Sequence, residues 1–419
     1  MSSPPSPPAA RSPTSSSTPG TSPPSPPKVV RRSGRAGLFT AVGILVIVLI
    51  LAGVGYETHW YGFSPAAKAV PPGDCPVDVT IAGAGASFLT PLMSNWETAY
   101  AAYSANKVTY SPVGAGTGIG DYESKTVNFA TTDEPLTGAE IHDLPGTTLT
   151  LPVSGGAVTI VTDIPGFSGT LNLTGVQIAD IYLGTVTTWD NSILTANNQG
   201  LDGIGSAIIP VVRSDAAGTS YVLTNYLSDD DATFASDVGT SIQPAWPAVS
   251  GEQAVSGNSG LAKYVAANDD TIGYVDLADA KSYDASGIAA VGNPASDYVS
   301  PTVANTQSAI DALAGQPIPA ATGNWSAVSW VNAPGAANYP LAALQYFMVL
   351  QNPGLGLTPS LNNTQVLIQW LHWALTTGQA ATTALDYAVP PAALIAQDLS
   401  ALSTINYNGA SVPACTTVG

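Results

Sequence analysis

Pro210-Val-Val-Arg-Ser-Asp-Ala-Ala-Gly-Thr-Ser220 is an apolar, strand-like run that turns through small residues into a helix start, and it carries the only arginine of the long acidic part of the chain. The other four arginines, Arg11, Arg31, Arg32 and Arg35, all precede residue 36. A guanidinium beside a Gly/Thr turn suits a small anion, because the first N–H groups of a helix have no partner within it and its dipole favours negative charge there. The competing reading of Arg213 is a surface ion pair with Asp215.

Three more segments share the design of small residues at the end of a strand leading toward a helix. They are Ile81-Ala-Gly-Ala-Gly-Ala-Ser-Phe88, Val113-Gly-Ala-Gly-Thr-Gly118 and Phe129-Ala-Thr-Thr-Asp-Glu-Pro-Leu136. Small side chains let backbone N–H groups approach a ligand closely. One such loop is common in any α/β protein; four of them around one guanidinium point to an anion site. No loop runs on into Gly-Lys-Ser/Thr, none fits G-x-G-x-x-G, and there is no G-x-S-x-G elbow. The three histidines, His59, His142 and His372, have no metal-ligand spacing, so no metal, no cofactor and no catalytic set is expected. Asp229-Asp-Asp231 reads as a solvated helix end.

Charge narrows the partners. All 29 acidic residues follow residue 56 and are joined there by six basic ones, Arg213, Lys68, Lys107, Lys125, Lys263 and Lys281. So acidic a surface excludes nucleic acid, polyanions and anionic membrane surfaces as partners. A small anion remains admissible if it is fully enclosed, where local dipoles and one guanidinium outweigh a surface field screened within about 10 Å.

The N-terminal part is organised differently. Residues 1–35 form a Pro/Ser-rich tail with too few apolar residues for a core, expected to be disordered and cytoplasmic. Residues 36–56 are uncharged and rich in Val, Ile and Leu, long enough for a transmembrane helix of about 20 residues. Lys28, Arg31, Arg32 and Arg35 on its N-terminal side place the rest of the chain outside the cell membrane. A cleaved signal peptide is the alternative, but its apolar region is usually 7–15 residues long. Residues 57–75 read as a linker. Cys75 and Cys415 bracket the exported part, and in an oxidising compartment one disulfide between them is the economical expectation, with two free thiols as the alternative.

From about Val77 strand-like runs (77–82, 108–113, 127–130, 157–162, 207–212, 271–275) alternate with helical ones (90–104, 118–125, 219–227, 364–377) over some 340 residues. That alternation argues for α/β layers, and the length suffices for two lobes. The stretch Gln365-Val-Leu-Ile-Gln-Trp-Leu-His-Trp-Ala374 reads as a packed core helix.

At these residues the chain resembles the phosphate-binding proteins that serve the high-affinity phosphate ABC transporter. The resemblance runs in order through Gly83-Ala-Gly-Ala-Ser-Phe88, Thr126-Val-Asn-Phe-Ala-Thr-Thr-Asp-Glu-Pro-Leu136, Ile181-Tyr-Leu-Gly-Thr-Val-Thr-Thr-Trp189, Val212-Arg-Ser-Asp-Ala-Ala-Gly-Thr-Ser220, Ile272-Gly-Tyr-Val275 and Leu385-Asp-Tyr-Ala-Val-Pro-Pro391. It implies a two-lobed α/β fold of the periplasmic binding-protein type with two interlobe crossovers, lobe 1 being residues 76–155 and 330–419 and lobe 2 residues 156–329. It further implies a monomer that encloses inorganic phosphate and hands it to the membrane subunits of the transporter, without catalysis. Carried over residue by residue, Ser87, Phe88, Asp133, Arg213, Gly218 and Thr219 would hold the phosphate and Asp215 would support Arg213; Thr117, close to Ala115 in sequence, would add a compensating hydroxyl. Asp133 would accept a proton that phosphate has and sulfate lacks.

Two departures stand out: Ala115 and Ala217 occupy positions where the family usually has serine. They leave open a receptor or sensor of the same fold that binds another oxyanion or none. A phosphohydrolase using Asp133 and Ser87 is the remaining alternative, without a base or metal set to support it.

Overall fold

The computed structural model describes residues 75–283 and 287–413. The Pro/Ser-rich tail, the apolar run 36–56, the linker up to residue 74 and Cys415, on which the expected disulfide depends, lie outside the described residues. Among the described residues no helix is long and apolar enough to cross a membrane.

Eight strands make the framework: β1 (Thr80–Gly85), β2 (Lys107–Ser111), β3 (Phe129–Thr132), β4 (Thr148–Asp163), β5 (Ile209–Arg213), β6 (Gln253–Val255), β7 (Thr271–Asp276) and β8 (Ala342–Leu350). They are hydrogen-bonded in the order β2-β1-β3-β8-β4-β7-β5-β6. At one end β1 pairs in parallel with β2 and β3, and helices α1 (Thr90–Tyr103) and α2 (Ala115–Glu123) make the crossovers. At the other end β5 pairs in parallel with β6 and β7, with α3 (Gly218–Asp230) and α4 (Asn258–Ala267) between them. Parallel neighbours need such crossovers, so β1, β2, β5 and β6 each deliver their C-terminal end to a helical start.

The strand β4 joins the two halves into a two-lobed α/β architecture. Its first part pairs antiparallel with β8, from Thr148 opposite Leu350 to Ala157 opposite Ala342. From Val158 opposite Asp276 onward it pairs with β7 instead. The handover falls between Ala157 and Val158, so one uninterrupted strand belongs to both lobes. Leu149-Thr-Leu-Pro-Val-Ser-Gly-Gly-Ala-Val-Thr-Ile-Val161 carries no charged residue and is buried at every position, on both faces of the sheet. Pro152, which has no N–H to give the ladder, stands opposite Tyr346, beside the register shift between Gln345 and Tyr346.

Two glycines let other elements reach that strand. A Cβ on Gly155 would lie 2.3 Å from Ile310 Cδ1, and one on Gly156 would lie 2.6 Å from the Phe88 ring. Ile310 belongs to α5 (Val303–Leu313), which packs with Trp325, Trp330, Leu344 and Tyr346 in a cluster beside β8. On the outer side of the first lobe, α6 (Leu361–Leu375) lays Trp370 edge-on against Trp96 of α1 at 6.0 Å between ring centroids. The core helix expected at 365–374 is therefore a packing element, and His372 on it is exposed.

Candidate functional site

Three helix starts and one short helical turn converge on Arg213. The turn Ser87–Leu89 follows β1 and runs into α1, α2 begins at Ala115 after Gly114, α3 at Gly218 after Ala217, and α4 at Asn258 after Gly257. None of the residues preceding these four starts supplies a side-chain cap to the first-turn N–H groups. Gly114 and Gly257 have φ of 92° and 72°, a region that favours glycine.

Arg213 is buried, and each of its five N–H donors has a protein acceptor. Nε donates to Asp215 Oδ1 at 2.9 Å, one terminal nitrogen donates to Thr219 Oγ1 at 2.9 Å and Asn258 Oδ1 at 2.7 Å, and the other to Ser87 Oγ at 3.2 Å and to Asp215 Oδ2. The backbone N–H of Arg213 donates to the Tyr274 hydroxyl at 3.1 Å, which is also 2.8 Å from Ser220 Oγ. The motif Ile272-Gly-Tyr-Val275 thus fixes the arginine from behind. Burial alone would raise the pKa of Asp215, but the hydrogen bonds and charge of Arg213, with the Gly257 N–H at 3.1 Å, hold it below the usual carboxylate value.

Ser87 ties the lobes together. Its Oγ accepts from Arg213 and, at 3.1 Å, from the Asn258 N–H, so its own hydrogen is left to donate into the site. Nearby, the N–H of Gly116 in the first lobe donates to the Ala216 carbonyl of the second at 3.2 Å. A Cβ on Gly114 would lie 2.7 Å from Asp215 Oδ2, so the loop before α2 is seated on the loop before α3. Ala115 and Ala217 are both buried at this seam.

Asp133 approaches from β3. A Cβ on Gly218 would come within 2.4 Å of Asp133 Oδ2, so glycine is what lets the carboxyl reach the start of α3. Burial pushes Asp133 up to about 7, with the Arg213 charge pulling the other way. Its neighbour Glu134 is pushed up to about 8 by burial and by the charges of Glu140 and Asp133.

Of the residues expected from sequence, Ser87, Asp133, Arg213, Asp215, Gly218 and Thr219 come together here. Phe88 lies against Gly156 and Tyr387, whose hydroxyl donates to the Phe88 carbonyl at 2.6 Å. Thr117 is exposed on the first turn of α2, because Ala115, Gly118 and Ile119 take the inward face at helical spacing. The Phe129–Leu136 segment also departs from expectation: it ends in a carboxylate loop, and a six-residue helix begins only at Gly138 under its Thr137 cap.

The fourth helix start is that of α4, and Asn258 on it was missed by sequence reading. The signal was present in Val255-Ser-Gly-Asn-Ser-Gly260, but the strand before it has only three residues and begins with a polar glutamine. Asn258 accepts from Arg213 and Thr219 through Oδ1, while its buried Nδ2 has no partner among the described residues.

Comparison with known proteins agrees with this architecture. Residues 69–377 match the PBP superfamily domain. The chain is 31% identical over 324 residues to a phosphate-binding protein PstS of Xylella fastidiosa, covering 76% of this chain and 84% of that protein. It is 32% identical over 324 residues to a phosphate-binding protein PstS of Pasteurella multocida, covering 75% and 88%. Among solved structures, a high-affinity periplasmic phosphate-binding protein with phosphate bound superposes with a TM-score of 0.65 at 21% identity, over 81% of this chain and all of that one. A phosphate-binding protein from Stenotrophomonas maltophilia gives 0.60 at 21% identity, over 77% and 93%.

Proposed function

We propose that this chain, which belongs to the PBP superfamily and within it to the phosphate-binding protein PstS family, captures inorganic phosphate between its two lobes outside the cytoplasm and passes it to an ABC transporter. Its family consists of binding proteins, and no reaction is assigned to the cleft. The observation that carries the reading is the convergence of Arg213, Ser87, Thr219 and Asn258 on one buried point, with Asp133 facing the start of α3.

An anion here exchanges partners with the protein. The terminal nitrogens of Arg213 turn from Ser87, Thr219 and Asn258 toward phosphate oxygens, while Asp215 keeps the guanidinium plane fixed. The released hydroxyls of Ser87 and Thr219, the Asn258 amide and the N–H groups of Phe88, Gly218 and Thr219 then donate to the same ligand. Asp133 accepts the phosphate proton. We assign these residues to the site and leave Thr117 out of it. We place the lobe boundary at Ala157/Val158 on β4, and group α5 with the first lobe because its apolar side covers β8. Anchoring through residues 36–56 and docking on transporter membrane subunits complete the proposal.

A thermal-shift experiment on the full-length chain tests it, since a ligand that binds the native state raises its melting temperature by mass action. Phosphate is expected to raise it and sulfate to leave it unchanged; no shift at millimolar phosphate contradicts the reading.

Ala115 and Ala217 favour one second reading, selectivity for a related oxyanion such as arsenate, and the same experiment with arsenate addresses it. If phosphate is the ligand, Ala115→Ser is expected to tighten binding by up to about 1.5–3 kcal/mol where the hydroxyl reaches an oxygen. Ala217→Ser has two outcomes to separate, because residue 217 is also the N-cap of α3. A serine capping that helix raises stability without ligand by about 1 kcal/mol, whereas one turned to the ligand lowers Kd instead. Melting temperature with and without phosphate distinguishes them.

A further inference from the structure

One face of the central sheet holds buried polar atoms that the site as described does not use. Gln345 on β8 is fully buried, and neither its Oε1 nor its Nε2 has a hydrogen-bond partner among the described residues. Asp133 Oδ1 is likewise buried and unpartnered. A buried amide normally has partners, since leaving one unsatisfied is costly.

The register brings these groups to one place. Tyr346 stands opposite Thr132, the last residue of β3, in the antiparallel pair of β8 and β3, and the same register extended one step beyond that strand would set Gln345 against Asp133. On its other side Gln345 stands opposite Ser154, two residues before Gly156. A Cβ on Gly156 would meet the Phe88 ring and would lie 3.7 Å from Gln345 Nε2, so the amide is on the ligand face of the sheet. The two oxygens of Asp133 then have different surroundings. Oδ2 faces Gly218 and the start of α3, whereas Oδ1 has no hydrogen-bond partner among the described residues.

We propose that Gln345 is a positioning residue of the anion site, its amide donating to Asp133 Oδ1 directly or through one water so that Oδ2 stays turned toward the ligand as an ionised acceptor. The proposal rests on the reading of the cleft as a phosphate site and assigns the source of its selectivity one layer further back. A hydrogen bond to the charged form favours that form, so Gln345 counteracts the burial that pushes Asp133 upward. The other charged and titratable groups facing Asp133 are Arg213, which favours the carboxylate, and Glu134 and Asp276, whose own carboxyls the Asp133 charge pushes upward. Tyr110, Tyr346 and Tyr387 also feel the Asp133 charge, and burial keeps each of them protonated.

The test is an NMR titration of the Asp133 carboxyl carbon in the full-length protein without ligand, assigned with Asp133→Asn, alongside phosphate and sulfate competition across pH. Gln345→Met keeps the volume and removes the amide. It is expected to move the Asp133 midpoint up by about one pH unit and to let sulfate compete up to a correspondingly higher pH. Gln345→Glu, which keeps the shape and polarity, adds a like charge and is expected to move the midpoint up as well. A folded variant of either kind with the wild-type midpoint overturns the proposal, as does a loss of melting temperature or affinity with the midpoint unmoved. If the wild-type chain takes up no phosphate, the phosphate reading fails, and the ligand-free titration still decides the contact between Gln345 and Asp133.

Discussion

Arg213→Ala is expected to abolish phosphate binding and to destabilise the protein as well. The guanidinium satisfies Asp215, Thr219, Asn258 and Ser87 at once, three of them within the second lobe and one across the cleft. Removing one member of a buried charge pair costs about 3–5 kcal/mol because the partner is left uncompensated. On the ligand side the same magnitude corresponds to a loss of roughly 10²- to 10⁴-fold in affinity. Arg213→Lys keeps the charge but cannot reproduce the planar fork that spans Asp215 and three further acceptors, so it should bind phosphate far more weakly than wild type while folding better than the alanine variant. Calorimetric titration together with thermal melting reads both effects. Wild-type affinity in Arg213→Ala would remove the guanidinium from the site.

The second large effect is on selectivity. Asp133→Asn replaces a buried acceptor by an amide that can donate, so sulfate, which the wild-type carboxylate repels, should become a competitor of phosphate. Wild type should show the same change with pH. Burial raises the Asp133 pKa to about 7, so the carboxyl becomes neutral and able to donate as pH falls below that value. Sulfate competition is therefore expected to grow between pH 8 and pH 6 in wild type and to be pH-independent through that window in Asp133→Asn. The stability effect has a definite sign. A folded-state pKa above the unfolded value contributes stability at low pH that is lost as pH rises through about 7, so Asp133→Asn should gain most over wild type above pH 7. Competition titrations at three pH values check this; a phosphate-to-sulfate ratio that neither the substitution nor pH alters puts Asp133 outside the site.

Much of this arrangement was legible in the sequence because it depends on local chemistry. The Gly- and Thr-rich turns around Ser87, Gly114 and Gly218 announce themselves by composition, and a lone arginine in an acidic domain is conspicuous. What escaped depends on long-range pairing. Ala342-Ala-Leu-Gln-Tyr-Phe-Met-Val-Leu350 is the strand that binds the first-lobe sheet to β4, yet its apolar run is as compatible with a buried helix as with a strand. Only its antiparallel partners, Phe129–Thr132 and Thr148–Ala157, decide the matter. The same strand carries Gln345, whose proposed place beside Asp133 is a matter of register, and a shift of one residue would turn it to the opposite face. Asn258 was hidden by the shortness of the strand before it. Thr117 was included for its nearness to Ala115 in sequence, and the first turn of α2 carries it outward.

The central claim, that this cleft is a phosphate site organised by Arg213, is tested most directly by isothermal titration of phosphate into the full-length chain at pH 8, in wild type and Arg213→Ala. The account predicts saturable heat with one phosphate per chain in wild type and none in the variant, with sulfate giving none in the wild type. Absence of saturable heat in wild type at millimolar phosphate, or an unchanged isotherm in Arg213→Ala, would contradict it.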